Sequence, residues 1–312
     1  MASPQTPDRR QVLISMATIL AAGSTASAAP FAARRAFVVG LDYPGSPGLA
    51  AMTPPLTTPL NDCGLICDAL GKLNFEPIIK AYNKDQTSFH TAFSAFLGAL
   101  AQDDLALIYV AGHGIQIDGQ NWLLLSDGVS FESVPSLVEA LRSKCRTVVI
   151  FLDVCRNNPF AIPEDEPNKA PKVRAVVAEP DLMFSFENFG LDQSRIEKKT
   201  LDEMDAAVLQ GLGRLEVQGT GVRIVFATDP RNGATDHVLD TDRDGPFAKS
   251  VAARILERES LDNVISRVTD DVLTATNGAQ SPWLSGSLRE PIFLAGQPRN
   301  KNLTTPPLRL PG

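Results

Sequence analysis

The sequence predicts an α/β fold in which a mostly parallel, six-stranded β-sheet carries helices on both faces. Short runs rich in β-branched and aliphatic residues recur along the chain, and few polar residues interrupt them. Between these runs lie segments whose apolar residues recur at helical spacing. Strands that are apolar throughout must be buried on both sides, and a parallel sheet with crossover helices provides that burial.

Apolar runs alternate with amphipathic segments over the first half of the predicted fold. The runs predict strands at 36–41, 75–82, 105–111 and 147–152. The amphipathic segments predict helices at 58–73, 88–100 and 134–144. The first helix begins with Thr58-Pro59, which is a capping residue followed by a first-turn proline. Asp118-Gly119 favours a tight turn, so we expect a β-hairpin after the third strand.

The alternation stops after residue 160 and resumes near residue 220. Early prolines and later mixed charges at 161–219 predict a long linker or insertion, with one helix near 201–212. The pattern then predicts a strand at 222–228, helices at 246–258 and 261–275, and a terminal strand near 291–294. The chain therefore divides into an α/β part at 35–160, the linker at 161–219, a second part at 220–296 and a proline-rich, disordered tail at 297–312.

The first 28 residues have the pattern of an export signal. Arg9 and Arg10 precede a short apolar stretch at 12–23, and Ala26-Ser27-Ala28 follows as a cleavage site with small residues. Paired arginines are typical of the twin-arginine route, so residues 1–28 predict a signal peptide and a periplasmic or secreted protein. The alternative is a disordered tail with an alanine-rich patch, which would leave the protein in the cytoplasm. No apolar run approaches the roughly 18 residues that span a bilayer.

Composition argues against several classes of binding protein. The net charge is -7 and no basic stripe is present, so binding to nucleic acid is not expected. Four cysteines are too few for a disulfide-stapled domain of this length. Neither they nor the three histidines have the spacing of zinc ligands. The sequence therefore predicts no metal site and no required cofactor.

Two chemically reactive residues directly follow apolar strands. His113 comes after the third predicted strand and Cys155 after the fourth. Each residue alone is more often structural, but the carboxyl ends of parallel strands share one edge of a sheet, where reactive sites form. An imidazole beside a thiol favours the thiolate, which attacks carbonyl carbon. The pair therefore indicates nucleophilic catalysis, with the backbone amides of Gly114 and Cys155 as oxyanion donors.

The same residues carry a resemblance to a known family. The sequences YVAGHG at 109–114, DGQNWL at 118–123 and LDVCRNNPF at 152–160 resemble the histidine and cysteine motifs of caspase-like (clan CD, peptidase C14) proteins of the bacterial metacaspase type. The two motifs stand in the family's order at a similar spacing. The resemblance covers about 35–160 well and 220–295 weakly. Asn157 stands where animal caspases have glycine, which argues against the animal type.

The resemblance implies a three-layer caspase-like sandwich, with 35–160 as the large-subunit-like (p20) part and 220–296 as the small-subunit-like (p10) part. It implies a cysteine endopeptidase with His113 and Cys155 as catalytic dyad. Asp62 matches an acidic position that metacaspases use for substrate binding, and Asp153 lies two residues before the nucleophile. Two carboxylates favour a guanidinium or ammonium group, so we expect cleavage of proteins or peptides after Arg or Lys. For Asp62, the alternative is an acid that complements a helix dipole.

Three further questions stay open at this point. The linker at 161–219 contains basic residues, so it is either a site of self-cleavage or a solvated connection. Residues 240–245 begin like an EF-hand, but Val251 occupies the position of the bidentate Glu, so an acid-rich turn is expected and calcium activation has no located site. The alternatives to the peptidase are a catalytically silent scaffold or partner-binding protein of the same fold and a different cysteine hydrolase, such as an amidase.

Overall fold

The fold is built on a six-stranded β-sheet. A smaller three-stranded sheet is formed by the three strands that follow the third strand in sequence. The computed structural model describes residues 31–44, 55–117, 120–128, 130–154, 220–229, 238 and 242–298, and it leaves the side chains of 115–117 and 120 out. The strands in these ranges are β1 (Arg34–Gly40), β2 (Ile78–Tyr82), β3 (Leu105–Gly112), β4 (Gly114–Ile117), β5 (Gln120–Leu124), β6 (Phe131–Ser133), β7 (Thr147–Val154), β8 (Val222–Phe226) and β9 (Trp283–Ser287). The helices are α1 (Pro59–Lys72), α2 (Gln86–Ala99), α3 (Val134–Lys144), α4 (Pro246–Arg254) and α5 (Leu261–Ala275).

The strand order of the large sheet is β2-β1-β3-β7-β8-β9. The first five strands of this order run parallel to one another, and β9 pairs antiparallel with β8. In the small sheet, β4 and β5 form the predicted hairpin and β6 pairs antiparallel with β5. Because β3 and β7 occupy the middle of the large sheet, their carboxyl ends lie at the centre of one edge.

Helices cover both faces of the large sheet. Alternate strand residues such as Ile150 and Leu152 belong to one buried cluster with the apolar side chains of α2 and α3. On the other face, α1 packs against β1 and β3, and α4 packs against α1 and α5. Phe151 points to that second face, where its ring lies 6.4 Å from the ring of Phe247 in α4. The structure therefore confirms the predicted three-layer α/β sandwich.

Local sequence signals explain where the helices begin. Asp85 and Ser260 accept hydrogen bonds from backbone amides in the first turns of α2 and α5. Ser133 does the same for α3, which has proline in its first turn. The predicted limits of α3 and α5 are confirmed. Helix α2 begins at Gln86, two residues before its predicted start, because Asp85 and not a later residue is its cap.

The terminal strand was predicted in the wrong place. The pattern at 291–294 predicted a strand, but the sixth strand of the sheet is Trp283–Ser287. Ile292 and Leu294 are buried without joining the sheet, and the carbonyl of Ile292 accepts a hydrogen bond from the backbone of Leu261 at the start of α5. Ile292 thus lies beside the start of α5, and the carbonyl of Leu294 accepts a hydrogen bond from the Arg34 side chain of β1. A short apolar run shows burial but does not distinguish a strand from a packed loop.

Several predictions fall outside the described residues. These are the signal peptide at 1–28, the turn residues 118 and 119, the linker at 161–219 with its helix near 201–212, and the tail beyond residue 298. By its contacts the chain separates into Met1–Ala32 and Ala33–Gly312, and every strand and helix above lies in the second unit. None of the described helices combines the length and the apolar character that crossing a bilayer requires.

Candidate active site

The two predicted reactive residues follow neighbouring strands. Strands β3 and β7 pair in parallel, and the last pair in register is Gly112 with Val154. His113 is the next residue after β3, and Cys155 is the next residue of the chain after β7. The prediction that these strands are adjacent is confirmed. Cys155 itself lies outside the described residues, so its contact with the imidazole stays a prediction.

His113 is held firmly between β3 and β4. Its side chain is buried, and its ring stacks on the ring of Tyr43 with centroids 4.7 Å apart. The backbone N–H of His113 donates to the Tyr43 hydroxyl oxygen over 2.8 Å. The backbone carbonyl of His113 accepts from the amide of Leu124 over 3.1 Å. Both backbone polar groups of His113 are therefore satisfied, which fixes the backbone from which its side chain projects.

Glycine residues flank the histidine, and for Gly112 the structure shows a steric reason. A Cβ atom on Gly112 would lie 2.9 Å from the Tyr43 hydroxyl oxygen and 3.1 Å from Cβ of Leu41. Gly114 is buried and opens β4, where it pairs with Leu123. The role of the Gly114 amide as an oxyanion donor stays a prediction.

Asp153 is half-buried near the carboxyl end of β7, on the face covered by α1 and α4. Its Oδ2 atom accepts a hydrogen bond of 2.8 Å from the hydroxyl of Tyr109 in β3. Tyr109 is completely buried, and desolvation together with the negative charges of Asp153 and Asp62 raises the pKa of its phenol well above the usual value. The phenol therefore stays a hydrogen-bond donor to Asp153.

Asp62 lies in the first turn of α1 and is only 2% exposed. Burial, followed by repulsion from Asp153, raises the pKa of the Asp62 carboxyl to about 8. Hydrogen bonds from the Thr58 side chain and from the backbone of Gly245 oppose that rise. The charge of Asp153 thus acts on Asp62, and we call the two residues the acidic pair. A cation that entered between them would relieve the repulsion.

The partners of Asp62 extend beyond its own helix. Its Oδ1 atom accepts a hydrogen bond of 2.7 Å from the amide of Gly245, which is the N-cap residue of α4. The neighbouring Asn61 donates to the carbonyl oxygen of Arg243 over 3.0 Å. Asp62 therefore does more than complement the dipole of α1, because it also ties α1 to the start of a helix from the second half of the chain.

Sequence reasoning missed three residues of this region. Tyr43 supports His113, Tyr109 supports Asp153, and the charge of Asp244 adds to the rise in the pKa of Asp62. A signal for Tyr109 was present, because it is a polar aromatic residue inside an otherwise aliphatic strand. For Tyr43, the only signal was its place just after β1, at the same edge of the sheet as His113.

The other cysteines and the other described histidine have burial or contacts of their own. Cys63, Cys67 and Cys145 are buried and not in disulfides. His90 contacts Glu132, and His237 lies outside the described residues. Within the described ranges, no group of three His, Cys, Asp or Glu side chains could hold a metal ion.

Comparison with known proteins agrees with the observed fold. The sequence profile of the caspase domain (Peptidase C14) matches residues 33–293. No curated protein shows significant similarity to the chain. Among solved structures, caspase-1 from Spodoptera frugiperda is similar in fold, with a TM-score of 0.53 at 12% sequence identity. That match covers 85% of this chain and 90% of the insect protein.

Proposed function

Since this chain belongs to the Peptidase C14 family of caspase-domain proteins, and is thus a cysteine-type peptidase that acts on protein or peptide substrates, we propose that it hydrolyses peptide bonds after Arg or Lys through a dyad of Cys155 and His113. The observation that carries this proposal is the position of His113 and Asp153 at one edge of the sheet. His113 directly follows β3, and Asp153 lies next to the last residue of the neighbouring strand β7, at the same edge of the sheet.

The dyad acts in two steps. His113 takes the proton of the Cys155 thiol, and the thiolate attacks the carbonyl carbon of the scissile bond. The negative charge that develops on the carbonyl oxygen accepts hydrogen bonds from the backbone amides of Gly114 and Cys155. His113 then donates its proton to the leaving amine, and water hydrolyses the acyl-enzyme with the imidazole as base. The fixed backbone of His113 supports this role, because both proton transfers need one stable ring position.

The charge of the acidic pair supports the proposed specificity for a basic residue before the cut bond. A guanidinium or ammonium group compensates two carboxylates that repel each other, whereas an aspartate side chain would add a third negative charge. Asp153 is the more accessible member and is the expected direct partner of the substrate. Asp62 is buried behind it and is expected to strengthen the field.

The test compares wild type with Cys155→Ala and His113→Ala on peptides that differ only in the residue before the cut bond. We expect activity on Arg and Lys peptides, little on the Asp peptide, and none in either variant. Asp153→Asn should lose the Arg preference while it still reacts with iodoacetamide at Cys155. Preferred cleavage after Asp would overturn the specificity, and full activity of His113→Ala would overturn the dyad.

Self-processing in the linker is part of the same proposal. Residues 161–219 lie outside the described residues and contain basic side chains that suit the acidic pair, namely Lys169, Lys172, Arg174, Arg195, Lys198, Lys199 and Arg214. Purified wild type should convert to two fragments on incubation, whereas Cys155→Ala stays one band. Wild type that reaches full activity as one band would remove processing from the mechanism.

We further propose that residues 1–28 direct export. Replacing Arg9 and Arg10 by lysine in a bacterial host with a twin-arginine pathway should retain the protein in the cytoplasm. If the wild-type protein also stays in the cytoplasm and keeps its first 28 residues, the segment is a tail and not a signal.

A further inference from the structure

Tyr43 is constrained at several points where it contacts His113. Its side chain is 1% exposed. The hydroxyl oxygen accepts from the backbone N–H of His113 and donates to the carbonyl of Leu124, each over 2.8 Å. The hydroxyl therefore joins His113, the residue after β3, to Leu124 at the end of β5 in the following hairpin. Its ring also stacks on the imidazole, with 27° between the ring planes.

The backbone of Tyr43 adopts a conformation that tyrosine rarely takes. Its φ angle is 58°, in the left-handed region where a non-glycine residue is disfavoured. The flanking backbone holds it there, because the amide of Asp42 donates to the Asn83 side chain and the carbonyl of Asp42 accepts from the amide of Leu56. Strained residues persist where surrounding contacts determine them, and such residues cluster at functional sites.

We infer that Tyr43 is a positioning residue for His113, which holds the imidazole in the one orientation that serves the thiol of Cys155. This inference rests on the proposed dyad. Two contacts act together: the hydroxyl fixes the backbone of His113, and the ring face limits rotation of the imidazole about its Cβ–Cγ bond. An imidazole that must accept and return a proton needs this fixed geometry, since small displacements of a reacting group greatly reduce the rate.

The proposal predicts which property each substitution changes. Tyr43→Phe keeps the stacked ring and loses both hydroxyl contacts, so we expect kcat on an Arg peptide to fall about 10-fold. Tyr43→Leu loses the hydroxyl and the ring without β-branching, so we expect kcat to fall about 100-fold. KM should stay within about two-fold in both variants, because Tyr43 acts on the imidazole and not on the substrate.

The chain offers a matched control in Tyr82. This tyrosine is half-buried in β2, and its hydroxyl faces the sulfur of Cys67 over 3.6 Å, away from His113. Tyr82→Phe should leave kcat and KM unchanged while it reports the effect of losing a tyrosine hydroxyl on the melting temperature. If Tyr43→Leu does not fold, Tyr43→Phe alone decides, because it removes a single oxygen atom.

The outcomes separate this inference from the proposed dyad. A fall in kcat at constant KM in Tyr43→Phe, with no fall in Tyr82→Phe, supports the positioning role. Unchanged kcat in the Tyr43 variants, or a rise in KM at constant kcat, would overturn it. His113→Ala is measured beside them. If that variant is inactive while the Tyr43 variants keep full kcat, the dyad stands and the positioning role fails. If His113→Ala is fully active, the dyad itself fails.

Discussion

If the acidic pair gives this peptidase the proposed preference for arginine, lowering the pH should weaken that preference. The reason is the raised pKa of Asp62, about 8, which follows from burial and from the charge of Asp153. If a guanidinium binds only when Asp62 is ionised, the competent fraction is about 1% at pH 6 and about one half at pH 8. The preference for Arg should therefore rise up to about 50-fold between these pH values.

The assay measures kcat/KM for two peptides that differ only in having arginine or its neutral isostere citrulline before the cut bond. Both peptides experience the same titration of the dyad, so the Arg/citrulline ratio isolates the acidic pair. In wild type we expect the ratio to rise with pH towards a plateau above pH 8. In Asp62→Asn the ratio should be low and independent of pH. A ratio that is already high at pH 6, or that still rises in Asp62→Asn, would refute the reasoning.

The ionisation of the Asp62 carboxyl should also affect the stability of the protein. A buried acid whose pKa is raised on folding binds its proton more tightly in the folded state, so its contribution to stability falls as the pH rises from about 4 to about 8. Relative to Asp62→Asn, the free energy of unfolding of wild type should fall by up to about 1.4 kcal/mol for each pH unit in that range. Urea denaturation of both proteins at pH 5 and at pH 8 measures the difference.

Three glycine substitutions give the remaining predictions. Gly112→Ala places a methyl group 2.9 Å from the Tyr43 hydroxyl oxygen, so kcat should fall about 10-fold while the protein still folds, as steady-state kinetics and a melting curve will show. Gly286→Ala should destabilise by more than about 2 kcal/mol, because its φ is +80° and the new Cβ would lie 2.4 Å from the carbonyl oxygen of Val222. Gly98→Ala, on the exposed face of α2 with nothing within 4 Å, should stabilise by about 0.5–1 kcal/mol. Urea denaturation separates the last two, and destabilisation by Gly98→Ala would contradict the helix argument.

Much of the fold could be predicted from the sequence because its signals are local. The limits of α3 followed from the spacing of its apolar residues, and the hairpin followed from Asp118-Gly119. The rule that reactive residues gather at the carboxyl ends of parallel strands placed His113 and the end of β7 at one edge of the sheet, and the structure shows that β3 and β7 are also neighbours. The position of β9 was missed, since burial of Ile292 and Leu294 against other elements produces the same pattern as a strand.

The contacts that shape the site could not be predicted in the same way. Tyr43 and His113 are 70 positions apart, and Asp62 and Gly245 are 183 positions apart. No periodicity or spacing connects such pairs, because they form only when the sheet has brought the strand ends together. The resemblance supplied a role for Asp62 but gave no indication that the same carboxylate also holds the start of α4.

The pairing of β7 with β8 determines whether the protein stays together after a cut in the segment between these strands. Residues 155–219 connect these two strands, yet the strands lie side by side in one parallel register, and α1 is joined to α4 through Asp62 and Gly245. A protease that severed the connection would change the number of polypeptides without separating the halves. The nicked product should migrate as two bands in denaturing gels and as one particle in gel filtration. Release of either half would require melting the middle of the sheet.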